Sequence, residues 1–255
     1  MEIIIDDSTP DHVYQPPAGY STGLDLSLRT AAGYAGVAEP FPSSLLVPRS
    51  EWQARIQEMK DTKSRLSDLI LNANLPCKDQ NGTNYCWINA PTHCVEIVRL
   101  VQNQPMVLLS PASAGGPIKG WSNVGGWGKE GVEFIQQYGL VPVDKWPANA
   151  ISRSYNTEEN RKLAMNYRIT EWWELQPGNL DELMSCLFHR IPVAVGYSWW
   201  SHEVIAIEPE WMDGEICLRF RNSWGMNYGE KGFSILRGSK MLPNDAVAPR
   251  VVIAA

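Results

Sequence analysis

The sequence lacks the features of a membrane-spanning or disulfide-stapled protein. Its apolar runs are short, and none approaches the ~20 residues that a transmembrane helix needs. The first residues, MEIIIDDSTPDH, have no basic region and an apolar run of only three residues, so we expect no secretory signal. The five cysteines are an odd number without a C-x-x-C pair. They predict free thiols in a reducing, intracellular (cytoplasmic) compartment.

Signals for nucleic-acid, metal and cofactor binding are also missing. The 255 residues carry a net charge of −6 and no cluster of Lys and Arg, which argues against a nucleic-acid partner. The four histidines lack ligand spacing relative to the cysteines, so we expect no metal site. No organic cofactor is implied either. The chain does have 44% hydrophobic and 20% charged residues, which is typical of a globular protein that buries a core.

Residues 1–48 differ in composition from the remainder of the chain. They are rich in Pro, Gly, Ser and Ala and show no sustained helical or strand periodicity, which predicts an extended arm with turns. An arm of this kind becomes ordered only by packing on its own body or on a partner. The sequence therefore divides into an N-terminal arm, 1–48, and a main domain, 49–255.

The main domain is predicted to be α+β. Apolar positions recur at roughly helical spacing over 50–74, which indicates one helix or a broken pair with Ser50 as a plausible N-cap. Further helices are predicted over 92–102, 127–139, 156–167 and 179–190. Short β-rich runs follow: IPVAVGY, HEVIAIEPEW, GEICLRFRNSW and GFSILRG. Helices followed by strands favour an α+β domain.

The main domain offers one candidate for each role in thiol chemistry. A thiol nucleophile needs surroundings that favour ionisation, a base held in one tautomer, and donors for the oxyanion. Cys86 precedes a predicted helix, His202 begins a β-run, Asn222 ends another, and Gln80 lies in the loop before Cys86. Each alone has an ordinary interpretation, as a buried thiol, a strand histidine, a turn residue or a surface amide. The catalytic interpretation fails only if all four ordinary interpretations are correct at once.

These residues lie in segments that resemble the papain-like cysteine proteases (peptidase family C1). Gln80 with the Cys86-Trp87 pair, then SHEVIAI, then RNSWGMNYGEKGF follow the family's order. LLSPASAGG and NVGGWGKEGVEFIQQYG resemble the family's central segment. The resemblance spans about residues 75–237. It implies a papain-like two-lobed fold, with a helical lobe, a β-barrel-like lobe and the active-site cleft between them.

The resemblance also implies a role for each residue. Cys86 would be the nucleophile, His202 the base and later the acid, and Asn222 the residue that orients the imidazole. Gln80 would donate to the oxyanion together with the Cys86 backbone N–H. The implied substrate-binding residues are Gly125, Gly126, Trp224 and Asn84. The implied activity is that of a thiol protease, a hydrolase that cleaves a peptide or protein substrate through an acyl-enzyme.

Some features depart from the family's pattern. Asn84 and Tyr85 stand where small residues usually precede the nucleophile, and Asn84 is expected to narrow the cleft. Pro91 falls early in the nucleophile helix, so we expect that helix to start late or kink. The usual long excursion before His202 shrinks to SWW. The pocket for the second substrate side chain therefore does not follow from the sequence.

Two alternatives to a peptidase stay open. The fold could be a structural or binding component of a larger assembly, such as a viral particle, which the arm and the shortened loop favour. It could also be a cysteine amidase acting on cell-wall peptide or isopeptide bonds. For the arm we expect an extended path along the main domain or out to neighbouring subunits, and we favour docking over inhibition because no inhibitory prosegment signature is found. A prosegment would instead contact Cys86 and thread between Gly126 and His202.

Overall fold

The computed structural model describes residues 2–30 and 38–253. Its α-helices are α1 (Asp11–Tyr14), α2 (Trp52–Asp61), α3 (Leu66–Asn72), α4 (Cys86–Val101), α5 (Ala112–Ile118), α6 (Gly128–Tyr138), α7 (Glu158–Ala164) and α8 (Leu180–Phe188). Its strands are β1 (Ile4–Ile5), β2 (Glu39–Pro40), β3 (Ile169–Glu174), β4 (Val193–Tyr197), β5 (His202–Met212), β6 (Glu215–Arg221), β7 (Phe233–Leu236) and β8 (Asp245–Val252). No helix in the described ranges is long and apolar enough to span a bilayer.

The strands form one open sheet in the order β1-β7-β6-β5-β4-β8-β3-β2. The strands of the main domain pair antiparallel with their neighbours, whereas β1 and β2 add in parallel at the two edges. Both edge strands belong to the arm. The β-rich lobe expected from the sequence is this sheet, and the arm extends it at either end.

Both faces of the sheet are covered by helices. Val193, Val195 and Val204 pack into one core with α2 and α8, and the intervening Ala194 and Ile205 pack into a second core with α3, α4 and α6. Side chains alternate between the two faces of a strand. Burial on both faces therefore explains why β4 and β5 are nearly continuous apolar runs in the sequence.

Helix α4 is the buried centre of the helical lobe, and it begins at Cys86 rather than at residue 92. Pro91 lies inside it, so the expected late start is wrong. The Asn89 backbone N–H already donates to the Tyr85 carbonyl at 2.9 Å. The helix is thus established before Pro91 removes one backbone donor. Consequently Cys86 sits in the first turn, where the helix dipole favours an anion.

The other predicted helices lie close to their expected positions. The segment 50–74 forms the broken pair α2 and α3, with no side-chain cap from Ser50. Helix α6 ends before Gly139, which has φ +75°, a conformation that favours glycine. Thr157 and Asn179 cap α7 and α8 through their side-chain oxygens. The structure also contains β3 and β8, two strands that the sequence analysis missed.

The described parts of the arm lie along the main domain. Ile5, Tyr14, Phe41 and Val47 are buried in the core that α8 also joins. Regular structure in the arm is limited to short elements such as α1, β1 and β2. Residues 31–37 of the arm lie outside the described residues. Because the arm contributes to the core of the main domain, its order comes from that contact.

Candidate active site

Three elements deliver the predicted thiol, imidazole and amide to one end of the sheet. Cys86 is the first residue of α4, His202 is the first residue of β5, and Asn222 directly follows β6. All three side chains are completely buried. The backbone of Glu203, the residue after His202, lies against the Cys86 sulfur. The helical and β-rich lobes therefore meet at these residues.

The imidazole of His202 is fixed by Asn222 and covered by Trp224. His202 Nε2 lies 2.8 Å from Asn222 Oδ1, which also accepts the Ser223 backbone N–H at 2.7 Å. An amide oxygen only accepts hydrogen bonds, so Nε2 carries the proton and Nδ1 is the basic nitrogen. The Trp224 ring stacks on the imidazole with centroids 4.5 Å apart and planes 23° apart. This cover excludes water from the His202–Asn222 hydrogen bond.

Gln80 is held in a fixed orientation by Ser223, Thr83 and the arm. Its backbone N–H donates to the Ser223 carbonyl at 2.8 Å, and its Oε1 accepts from Ser223 Oγ. Its Nε2 then donates to the carbonyls of Thr83 and Ser21, each at 2.8 Å. The Ser21 carbonyl belongs to the arm. Gln80 Nε2, which the sequence analysis assigned as a donor to the oxyanion, thus already donates to a carbonyl oxygen of the arm.

The thiol and the imidazole are both neutral in this form. Burial, together with the nearby Glu203 carboxyl, raises the pKa of Cys86 to about 12, although backbone amides of Glu203, Gly23 and Trp87 act in the opposite direction. Burial lowers the pKa of His202 to about 4, although the hydrogen bond that Nε2 donates to Asn222 acts in the opposite direction. Among the described residues, His202 Nδ1 has no hydrogen-bond partner. No hydrogen bond therefore joins the Cys86 sulfur to the imidazole in this form.

The arm runs through the cleft as an extended segment. The Gly126 N–H donates to the Gly23 carbonyl at 2.9 Å, and the Asp25 N–H donates to the Gly126 carbonyl at 2.8 Å. On the other side, the N–H groups of Gly23 and Leu24 both reach the carbonyl of Ser201, at 3.2 and 3.1 Å. The arm therefore threads between Gly126 and the residue before His202. This path is the one expected of a prosegment, the role that the sequence analysis disfavoured, and it follows the main domain, which is one of the two paths expected for the arm.

The predicted substrate-binding residues all contact the arm. A Cβ on Gly23 would lie 2.0 Å from the Asn84 carbonyl oxygen, and one on Gly125 would lie 2.6 Å from the Gly23 carbonyl oxygen. Trp224 Nε1 donates to the Ser21 carbonyl at 3.3 Å. The Asn84 side chain instead donates to the Asn123 carbonyl at 3.1 Å. It is therefore the backbone of Asn84, rather than its side chain, that limits the cleft at Gly23.

Sequence analysis missed three parts of this site: the arm residues 21–25, Ser201 and Glu203. The arm contacts are mostly backbone hydrogen bonds, which leave little side-chain signal. Glu203 did leave a signal, since it is a charged residue within the apolar run of β5. All five cysteines are free and buried. Within the described part of the chain, no group of His, Cys, Asp and Glu is arranged to hold a metal ion.

Solved structures with similar architecture identify the fold. Procathepsin L 3 of the Tenebrio molitor larval midgut has a TM-score of 0.67 and 18% identity over 86% of this chain and 76% of its own. Xylellain, a cysteine protease from Xylella fastidiosa, has a TM-score of 0.62 and 19% identity over 92% and 96%. The fold is papain-like. The proform of Amb a 11, a cysteine protease and ragweed pollen allergen, has a TM-score of 0.57 and 17% identity over 71% and 63%.

At these identities the similarity establishes the papain-like fold and no more. Neither a protein-family model nor a curated protein sequence matches the chain. The α+β architecture, with its sheet against a central helix α4, agrees with the fold predicted from the sequence. The roles of individual residues must be argued from the geometry of the cleft.

Proposed function

We propose that this protein is a papain-like cysteine endopeptidase held in a latent state by its own N-terminal arm. The observation that carries the proposal is the His202 Nε2 to Asn222 Oδ1 hydrogen bond of 2.8 Å beside Cys86, at the start of α4. This arrangement leaves Nδ1 as the basic nitrogen of a fixed imidazole, on the residue before Glu203, whose backbone lies against the Cys86 sulfur. A purely structural fold has no chemical need for that tautomer.

The chemistry follows from the positions of these groups. His202 Nδ1 takes the thiol proton, and the Cys86 sulfur attacks the carbonyl carbon of a peptide bond. The oxygen becomes an oxyanion that accepts from Gln80 Nε2 and the Cys86 backbone N–H. The C–N bond then breaks, and the amine leaves with the proton from His202. Water hydrolyses the resulting thioester, with His202 again as the base, and restores the free thiol.

Two observations support latency through residues 1–48. The Ser21 carbonyl accepts from Gln80 Nε2, and Gly23 lies against the Cys86 sulfur, so the arm occupies the position of a substrate. Burial under the arm keeps thiol and imidazole neutral, because it raises the pKa of Cys86 and lowers that of His202. Procathepsin L 3 and the Amb a 11 structure are both proforms, which fits an arm that blocks the cleft.

The test is hydrolysis of an unfolded protein substrate by the full chain before and after the arm is displaced. We expect Cys86→Ala and His202→Ala to abolish cleavage, because the first removes the nucleophile and a general base contributes about 10²–10⁴-fold. Cys217→Ala is the matched control, since Cys217 is a buried free thiol in β6. Selective alkylation of Cys86 would accompany activity.

The same experiment discriminates between the alternatives. A structural or binding component would show neither cleavage nor selective alkylation of Cys86 after the arm is displaced. A cysteine amidase would show alkylation of Cys86 and hydrolysis of isopeptide or cell-wall peptide bonds, without cleavage of the unfolded protein. Either result would contradict the endopeptidase proposal.

A further inference from the structure

Two acidic side chains flank a glycine at the end of the sheet nearest the cleft. Gly196 on β4 is paired with Glu203 on β5 and with Asp245 on β8. Residues directly opposite one another in paired strands point to the same face of the sheet. Ala194 and Ile205, two residues along, face the core around α4. Glu203 and Asp245 therefore lie on the α4 side of the sheet, with an empty position between them at Gly196.

Leu24 of the arm fills the space above Gly196. A Cβ on Gly196 would lie 3.1 Å from both Leu24 Cδ atoms and 3.3 Å from the Asp245 Cβ. Leu24 is buried in a cluster with Cys86 and Trp127. Gly23, the residue beside it, lies against the Cys86 sulfur. The space above Gly196 thus accepts the side chain of the residue adjacent to the one that lies against the Cys86 sulfur.

Leucine is poorly matched to the walls of this pocket. Glu203 and Asp245 are 0% and 4% exposed. No side chain among the described residues hydrogen-bonds to the Glu203 carboxyl, and the contact that favours its charged form is the backbone amide of Gly128. Burial, reinforced by the negative charge of Asp245, nevertheless raises the pKa of Glu203 well above its usual range. A buried carboxyl without a charged partner is destabilising, and an apolar side chain cannot supply one.

We propose that this pocket, built from Glu203, Gly196 and Asp245, selects a lysine or arginine side chain next to the substrate residue under attack. The inference rests on the proposed peptidase function, since it concerns the substrate of that cleft. An ammonium or guanidinium group would donate to Glu203, which then ionises, while Asp245 supplies a second carboxyl on the opposite wall. Leu24 holds the pocket in the latent form without pairing with these acids.

The first test uses the arm of the full chain as the ligand and needs no peptidase activity. Leu24→Lys and Leu24→Met are compared by unfolding temperature in the native background and in Glu203→Gln. In the difference in unfolding temperature between the Lys and Met variants, the steric cost that both backgrounds share cancels. We expect Lys to be more favourable relative to Met by at least a few degrees when Glu203 is present. An equal difference in both backgrounds would overturn the acidic pocket.

The second test measures substrates in pairs. Two peptides differ only in lysine or its neutral isostere norleucine at the position next to the residue under attack. We expect kcat/KM to favour lysine about tenfold or more, the change given by one charge-assisted hydrogen bond. In Glu203→Gln the ratio falls toward one, whatever the variant does to both rates. If no peptide is cleaved, the proposed function fails while the unfolding cycle still decides the pocket.

Discussion

Replacement of Gly23 by alanine should release the arm from the cleft, because the path of the arm leaves no room for a side chain. A Cβ on Gly23 would lie 2.0 Å from the Asn84 carbonyl oxygen and 2.5 Å from its carbonyl carbon. Both atoms are backbone just before α4, which is anchored in the core and cannot move aside cheaply. The arm must therefore shift instead. A shift of this size breaks the bridge between Leu24 and Gly126.

The magnitude follows from what the arm loses. Withdrawal of Leu24 from its buried position costs about 2 kcal/mol, and each of the backbone hydrogen bonds to Gly126 and Ser201 contributes about 1 kcal/mol net. These terms oppose the conformational entropy that the freed segment regains. If the closed position of the arm is destabilised by a net of only about 2 kcal/mol, the ratio of closed to open arm changes about 30-fold. Alkylation of Cys86 at pH 8 should accelerate by that factor or more.

The assay is the rate of iodoacetamide modification of Cys86, located by mass spectrometry, in the otherwise native full chain. Gly19→Ala is the control, because Gly19 lies in the same arm and a Cβ there would meet no atom within 4 Å. Its φ of +86° makes alanine locally unfavourable, but it does not block the cleft. If iodoacetamide modifies Cys86 no faster in Gly23→Ala than in Gly19→Ala and in the native chain, the arm does not protect the thiol.

Three further predictions concern Asn222, the buried histidines His93 and His202, and the Cys86 thiol. Asn222→Ala should lower kcat about tenfold by freeing the imidazole, with a changed pH profile and little change in KM; a lower Tm with a native pH profile would indicate a structural role only. Burial lowers the pKa of His93 and His202 to about 4 from 6.5, so their stabilising contribution is complete above pH 6.5 and is lost as pH falls through about 4. The loss is up to about 3 kcal/mol per histidine, and urea unfolding at pH 7.5 and 4 measures it; unchanged stability would contradict it. Because the folded pKa of Cys86 is about 12, its alkylation in the native chain should keep rising from pH 8 to pH 10, whereas a plateau near pH 8 would show an already ionised thiol.

The sequence predicted the parts of the fold that are specified by apolar pattern. β4 and β5 are recognisable because both of their faces are buried, and α6 because Gly139 ends it. β8 was missed because Pro249 and Arg250 interrupt its apolar run, although its partner β3 supplies the pairing. β3 alternates charged and aromatic residues irregularly and carries register shifts. Pairing between distant segments stabilises these strands, and no local window contains that information.

The candidate site shows the same division between side-chain and backbone information. Cys86, His202, Asn222 and Gln80 were identified because thiol chemistry requires particular side chains, and the structure brings their elements together. A prosegment role for the arm was disfavoured because the search for a prosegment signature relied on side-chain patterns. Its contacts with Gly126 and Ser201 are backbone hydrogen bonds, which any sequence can make.

What the arm sequence does need is glycine at one position and a compact apolar side chain at the next. Gly23 has no space for a Cβ, and Leu24 fits the space above Gly196. Two adjacent residues of that kind are too common in any chain to predict a cleft-binding segment. They become informative only with the structure of the cleft, where Gly196 stands between two buried acids. Under the proposed function, a side chain that is sterically suitable and electrostatically unsuitable, as Leu24 is, distinguishes a segment that blocks the cleft from a substrate that is cleaved there.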